Sequence, residues 1–418
     1  MGRPRREREA PRIQRIELSE KDTRLRWILV GALLVIGMVA IAIGVNSCIS
    51  AQSGWQEVQV SSGGLNCSDD FAFNYCYGQA GIDPTLERRQ VVDIYGDAVV
   101  KAYELFNTDI EGSSLGNLSL INANPNQTVT VDKALYDALT QVVEADSRYL
   151  FLAAVYTDYR GVFYSDTEAE AELFDPGRNA QQAQFVKEAA AFAADPAHIS
   201  LVLLEGEQVK LEVSQEYLAF AEKYEIDDFV DLGWMKNAFI TDYLAERMIA
   251  GGHTNGYIAS YDGYTRNLDS RGLSYSFNLF DRLGDDIYLP AVWEYDTVMS
   301  IVFLRNYPMS SRDSGDYYLY SDRTITHGFI DLADGLCRTS TDNLVSYSES
   351  ASCAQIALSI APVFIGETVD TDAIAAMTGS GIYSIWFDGG KLHYNQADAK
   401  LALQELEGVS YGLSPVDP

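Results

Sequence analysis

Nineteen consecutive residues without a charge, Trp27 to Val45 (WILVGALLVIGMVAIAIGV), constrain this chain more than any other feature. At the α-helical rise a segment of that length spans about 28 Å, close to the hydrocarbon thickness of a bilayer. It is apolar all round, whereas a helix of a soluble core is shorter or amphipathic. Residues 1–26 carry nine Lys/Arg against five acids, so of the net charge of −30 the remainder of the chain holds −34. The positive-inside rule then predicts a basic cytoplasmic tail over 1–26 and a single-pass transmembrane helix over 27–45. A linker over 46–64 and an extracytoplasmic domain over 65–418 follow. A cleaved signal is the other reading, since Val45-Asn46-Ser47-Cys48 is a loose lipoprotein box in which Cys48 would be lipidated. Asn46 and the long basic lead-in favour the uncleaved anchor.

The acidic bulk excludes one class of partner: a surface of this sign repels phosphate backbones, so no nucleic acid is expected. Only four His are present among 418 residues, which argues against a His-rich metal centre. Beyond Cys48 the cysteines are Cys67, Cys76, Cys337 and Cys353. Nearest-neighbour disulfides and four buried thiols both remain open, and no CxxC supports a zinc ribbon or a thioredoxin-type site.

Periodicity predicts a mixture of helices and hairpins. Val91, Val92, Tyr95, Val99, Ala102 and Leu105 recur at helical spacing within 88–106. Asp132 is placed to cap a helix whose apolar face is Leu135, Ala138, Leu139 and Val142. An Ala/Gln-rich helix over 179–193 stops near Asp195-Pro196, and Ile240, Tyr243, Leu244 and Met248 mark another ended by Gly251-Gly252. Hairpins are expected around Gly206 and at Asp388-Gly389-Gly390, and strands over 257–261 and 317–320. Helices and strands without strict alternation predict an α+β domain with largely antiparallel sheets.

No nucleophile elbow, P-loop, H-E-x-x-H or EF-hand loop occurs. Acidic pairs such as Glu225/Asp227 are, in a chain with 60 acids, far more often solvated surface than paired catalysts. The Tyr-rich stretches (Tyr257, Tyr261, Tyr264; Tyr317, Tyr318, Tyr320) offer stacking platforms for a sugar or a flavin, though any one Tyr is more often packed in a core.

Four segments in order carry more information: 119–143, then DLGWMKNAFITDYLAERMIAGGHTNGYIASYDG over 231–263, DSGDYYLYSDRTITHGFIDLADG over 313–335, and ALSIAPVFIG over 357–366. The series resembles the ApbE family, flavin transferases that move FMN from FAD onto a Ser/Thr of an acceptor protein. The resemblance covers roughly residues 60–410. It implies an ApbE-like domain and cofactor contacts at Asn122, Asp231, Gly233, Ser314, Gly315, His327 and Asp331. It also implies that Asp242 and Asp316 orient the substrate or take the acceptor proton.

Departures from the pattern fall on the chemistry. The family's Lys falls on Asn237, with Lys236 one place off, and its metal-holding Asp and Thr fall on Ile356 and Ile360. Mg²⁺ takes oxygen ligands and isoleucine supplies none. The resemblance therefore implies FAD and Mg²⁺ as cofactors of the family while predicting that this chain has lost its metal site. The expectation is a degenerate homologue, or pseudoenzyme, on the outer face of a bacterial cell membrane, with weak or no flavin transfer. One alternative is an active Mg²⁺-dependent transferase modifying an exported flavoprotein, with Asp331, Asp334 or Glu367 as substitute ligands. The other is a cell-surface module binding glycan or protein through its tyrosines.

Overall fold

The computed structural model describes residues 53–60, 65–110 and 115–416. The basic tail, the apolar segment 27–45 and Cys48 lie outside the described residues. Among the described residues no helix is long and apolar enough to cross a membrane.

A nine-stranded sheet organises the domain. Its strands follow one another in space as in sequence: Gly54–Glu57, Phe71–Tyr77, Gly256–Ser260, Tyr264–Asn267, Met299–Arg305, Asn343–Ser348, Tyr383–Asp388, Lys391–Tyr394 and Gly412–Pro415. All neighbours are antiparallel except the last pair. Within the stretch read as a linker, Gly54–Glu57 is thus the edge strand of the domain, paired with Asn74–Tyr77. Four residues beside a Gly/Ser-rich run carry too weak an alternation to announce a strand.

The sheet is covered on both faces. Val302, Leu304, Leu344 and Trp386 point into a large core shared with the helices Pro84–Phe106, Lys236–Ala250 and Cys353–Phe364. Ile301, Phe303, Val345, Tyr347 and Ile385 point the other way, into a second core. That core is roofed by a three-stranded sheet of Tyr275–Leu283, Asp286–Tyr295 and Lys400–Leu403. Every residue of Met299–Arg305 and Asn343–Ser348 is consequently buried. Ile301–Leu304 is apolar on both faces and so loses the period-two signature, while buried Ser346, paired with Ser384, and Ser348 break the apolar pattern of the second strand; for those reasons these central strands are not visible in the sequence pattern.

The helices begin where short polar side chains satisfy their first N–H groups. Asp83 accepts from Thr85 and Leu86, Asp132 from Ala134, and Asn179 from Gln181. Ser352 and Gln355 form a reciprocal capping box at the start of Cys353–Phe364. The predicted hairpins stand at Ile199–Leu204/Gln208–Val213 and Tyr383–Asp388/Lys391–Tyr394. The four cysteines among the described residues are free thiols. Cys67 donates to the Val99 carbonyl and Cys353 to the Thr265 carbonyl, both at 3.3 Å. Burial pushes the Cys67 thiol up to about 12, so it is an inert core group.

Candidate functional site

A cavity of about 240 Å³ opens where four segments meet: the helix Ala153–Phe163, the loop running into Lys236–Ala250, the corner at Tyr261-Asp262, and the 312–316 loop. Its aromatic walls are Tyr156, Phe163, Tyr164, Trp234 and Tyr261. Arg160, Lys236 and Arg312 bring positive charge to it, and Asp70, Asp262, Asp313 and Asp316 negative.

Each wall is held by polar contacts behind it. Asn122 accepts the N–H groups of Phe229 and Val230 at 3.1 and 2.9 Å and donates to the Val230 carbonyl and to Asp228, both at 3.0 Å. With both ends of its amide so engaged, Asn122 pins the irregular segment that leads to Asp231. Asp231 is buried, accepts the Gly233 N–H at 3.0 Å and receives Arg160 at 2.7 Å. It thereby joins the loop to the helix that forms the opposite wall. Gly233 has φ +55°, and a Cβ there would stand 2.4 Å from the Tyr156 ring, so only glycine lets these walls meet. At the next corner Gly263 has φ +120° and its own Cβ would lie 2.2 Å from the Phe303 carbonyl.

Below the floor lies a buried ion pair. Arg305 donates to Asp313 and, at 2.8 and 3.3 Å, to the carbonyls of Tyr261 and Asp262. Asp313 in turn accepts the N–H groups of Met309 and Ser310 at 2.9 and 2.8 Å. One guanidinium thus locks the corner and the 309–316 loop together. Arg312 then lies over the Tyr261 ring, 4.5 Å from its centroid, at the cavity's rim.

The carboxyls of the cavity are displaced from their ordinary range. Asp316 is walled by protein but open toward the cavity's mouth. Burial raises it to about 6; the Lys236 ammonium pulls against that rise and Asp313 adds to it. Burial and then the charge of Asp316 push Asp262 up to about 7, against the polar neighbours Ser260 and Asn237 and the more distant Arg305. Asn237 donates to Asp262 at 3.0 Å. The remaining oxygens of both side chains and the indole N–H of Trp234 are buried without a protein partner.

Of the residues assigned from the sequence, Gly233, Gly315 and Asp316 line this cavity. Ser314 shares the short 3₁₀ turn Ser314–Asp316 with two of them. Asn122 and Asp231 stand behind the wall as supports. Three others are committed elsewhere. Asp242 accepts the N–H groups of Cys353 and Ala354 at 3.0 and 2.8 Å and pairs with Arg266 at 2.8 Å, so it caps a helix instead of facing the cavity. Asp331 accepts Arg338 at 2.7 Å, and the same guanidinium holds Asp334 at 2.7 Å. His327 is buried, its Nδ1 accepting the Phe329 N–H at 3.3 Å; burial lowers its pKa to about 4, so the ring is neutral. Asp262, Trp234 and Arg312 were given no role from the sequence: Asp262 and Arg312 sit in turns and Trp234 in the short 3₁₀ turn Gly233–Met235, where no spacing rule applies. Of the Tyr-rich stretches, Tyr264, Tyr317 and Tyr320 are buried, Tyr257 packs against Trp55 and Tyr275, Tyr318 is half-buried against Tyr320, and Tyr261 lines the cavity.

The helix Cys353–Phe364 carries Ile356 and Ile360, both fully buried in the large core. No oxygen-bearing side chain occupies those two positions, and Asp331 and Asp334 are already bridged by Arg338. The residues present at these positions do not fit a divalent cation. Among the described residues no three His, Cys, Asp or Glu side chains converge as a ligand set.

The sequence matches no protein-family profile and no curated protein. Solved structures do match. The ApbE protein of Thermotoga maritima superposes with a TM-score of 0.56 at 12% identity, over 85% of this chain and 97% of that one. The flavin transferase ApbE of Vibrio cholerae superposes with a TM-score of 0.53 at 12% identity, over 84% and 97%. The fold is therefore ApbE-like, a mixed α/β domain with mostly antiparallel sheets.

Proposed function

We propose that this chain is a membrane-anchored, extracytoplasmic ApbE-like protein that has kept the framework and given up metal-dependent flavin transfer. It engages a protein partner, or a flavin, without moving FMN onto an acceptor. The single observation that carries this reading is the pair of fully buried isoleucines, Ile356 and Ile360, at the positions where the resemblance puts the metal ligands. In a phosphoryl transfer the cation neutralises charge that develops on the phosphates, and the protein contributes by positioning. Removing that stabilisation costs several kcal/mol, hence orders of magnitude in rate.

Other features support the same reading. Asp331 and Asp334 share Arg338, so recruiting either as a substitute ligand would first break an ion pair. The position of the family's lysine holds Asn237, whose amide nitrogen donates to Asp262. At about 240 Å³ the cavity falls below the roughly 300–1,000 Å³ typical of sites that bury a drug-sized ligand, whereas a dinucleotide is larger still. Its aromatic walls with Lys236 and Arg312 at the rim suit a single planar ring or one anionic group. Anchoring rests on the charge asymmetry around residues 27–45.

The test incubates the full-length chain with FAD, Mg²⁺ and an exported flavoprotein domain bearing a target Thr. No fluorescent covalent flavin is expected on the acceptor after denaturing electrophoresis. Covalent flavin at a rate comparable to that of an active ApbE run in parallel would overturn the proposal. For the anchor, the chain is expected to stay in the membrane fraction after a carbonate wash.

A further inference from the structure

Asn237 and Asp262 face each other in the cavity wall, joined by one hydrogen bond from the amide nitrogen to a carboxyl oxygen, 3.0 Å long. The other oxygen of each, Asn237 Oδ1 and Asp262 Oδ1, is buried and accepts nothing from the protein. Two acceptor oxygens on groups already joined at their other ends repel when neither carries a proton. Buried polar atoms without partners are rare and costly. One proton removes both deficits at once: a carboxylic acid O–H donates to the amide oxygen while the amide N–H donates to the acid, closing a ring of two hydrogen bonds.

We propose that Asp262 is a neutral carboxylic acid that closes this two-bond ring with Asn237, making the pair a proton-held latch between the helix Lys236–Ala250 and the 261–263 corner. The proton comes from solvent and returns to it. The surroundings favour the neutral form. Asp316, from the 312–316 loop, places a second carboxylate in the same cavity, and Asp313 lies behind it. The cations nearby are engaged: Arg305 serves Asp313 and two backbone carbonyls, Arg160 pairs with Asp231 at 2.7 Å, Lys236 donates to Asn107 at 3.0 Å, and Arg312 lies over Tyr261. Tyr264 and Tyr317 present no charge, since burial raises both phenols. The Ser260 hydroxyl, 3.4 Å from the Tyr264 carbonyl, is a neighbour that works for the ionised form, and burial with the charge of Asp316 outweighs it. The upward displacement of the Asp262 carboxyl to about 7 accords with this arrangement. Above that pH the latch loses its second hydrogen bond and the cavity gains a second carboxylate beside Asp316.

The decisive variant is Asp262→Asn, because a second amide donates and accepts at the same two places without a titrating proton. In difference infrared spectra of the full-length chain between pH 6 and pH 8, the protonated-carboxyl C=O band is expected to be smaller in Asp262→Asn than in the wild type, the remainder belonging to Asp158 and Asp316. The variant's melting temperature is expected to match the wild type at pH 5 and exceed it by several degrees at pH 8. Asp262→Ala, which leaves Asn237 unpaired, is expected to melt below the wild type at pH 5. The proposal fails if Asp262→Asn leaves the band undiminished at pH 6, or if Asp262→Asn melts well below the wild type at both pH values. It fails equally if Mg²⁺ or Ca²⁺ alone raises the wild-type melting temperature at pH 7 and leaves Asp262→Asn unmoved, since a cation would then bridge the two oxygens.

Discussion

Asp242, in the middle of one helix, accepts the backbone N–H of Cys353 at the first turn of another, at 3.0 Å. Its second carboxylate oxygen takes the Ala354 N–H at 2.8 Å, and Arg266 completes the set. A carboxylate at a helix N-terminus satisfies orphan donors and complements the helix dipole. Asp242→Ala is expected to cost about 3–5 kcal/mol, as when one partner of a largely buried charge pair is removed. Urea unfolding measures that loss. Because Asp242 stands away from the cavity, ligand binding at a temperature where the variant is folded is expected to be unchanged. A loss of binding without a loss of stability would return Asp242 to the functional role that the resemblance implied.

Ile356 and Ile360 carry the second prediction. Introducing the residues that the resemblance puts at these positions, by Ile356→Asp and Ile360→Thr, places a carboxyl and a hydroxyl where the structure shows a fully apolar setting. Ile356→Asp alone is expected to destabilise by more than about 3 kcal/mol, the range for an unpaired charged group buried in a core. Mg²⁺ at millimolar concentration is expected to leave the melting temperature of the double variant unchanged. Recovery of stability with Mg²⁺ would mean that neighbouring oxygens complete a cation site.

Much of the framework was legible in the sequence, and the reasons are local. The helix after Asp132 reads directly, because Leu135, Ala138, Leu139 and Val142 form a one-sided stripe that the structure buries. The Asp388-Gly389-Gly390 turn reads because both glycines take positive φ, at +55° and +74°. The central strands did not read, because side chains such as Ile301 and Val302 enter different cores and both are apolar. The cavity was half legible. Gly233 and Asp316 lie in segments whose turns resemble the family. The partners of Asp242 and Asp331 are more than a hundred residues away or supplied by a following turn, and no spacing rule joins Asp242 to Cys353.

Arg305 and Asp313 provide the third prediction. Both side chains are almost completely buried, and the pair ties the 309–316 loop to the 261–262 corner. Arg305→Met is expected to cost about 3–5 kcal/mol, because it leaves the Asp313 carboxylate buried without its cation. Combining it with Asp313→Asn is expected to cost less than the two single changes together, with a coupling of about 2 kcal/mol in a double-mutant cycle. Additive losses would show that the loop is held by the Met309 and Ser310 N–H groups alone.

The last prediction concerns Asp158, on the face of its helix turned away from the cavity. Gln182 donates to one of its oxygens at 2.5 Å, while the other is buried without a partner. Burial, followed by the charge of Asp175, raises this carboxyl to about 7, whereas an unfolded Asp titrates near 4. Between those values the folded state holds a proton that the unfolded state has released, so stability falls as pH rises from about 4 to about 7 and stays low above it. Asp316, raised to about 6, slopes the same way. His327, lowered to about 4, slopes the opposite way, gaining stability as pH rises toward 6.5. Asp158→Asn removes one descending contribution and leaves the other groups in place. Its unfolding free energy relative to the wild type is therefore expected to be more favourable at pH 8 than at pH 5 in urea titrations at matched ionic strength. An equal difference at both pH values would mean that Asp158 is ionised in the folded protein throughout, with its second oxygen reached by water.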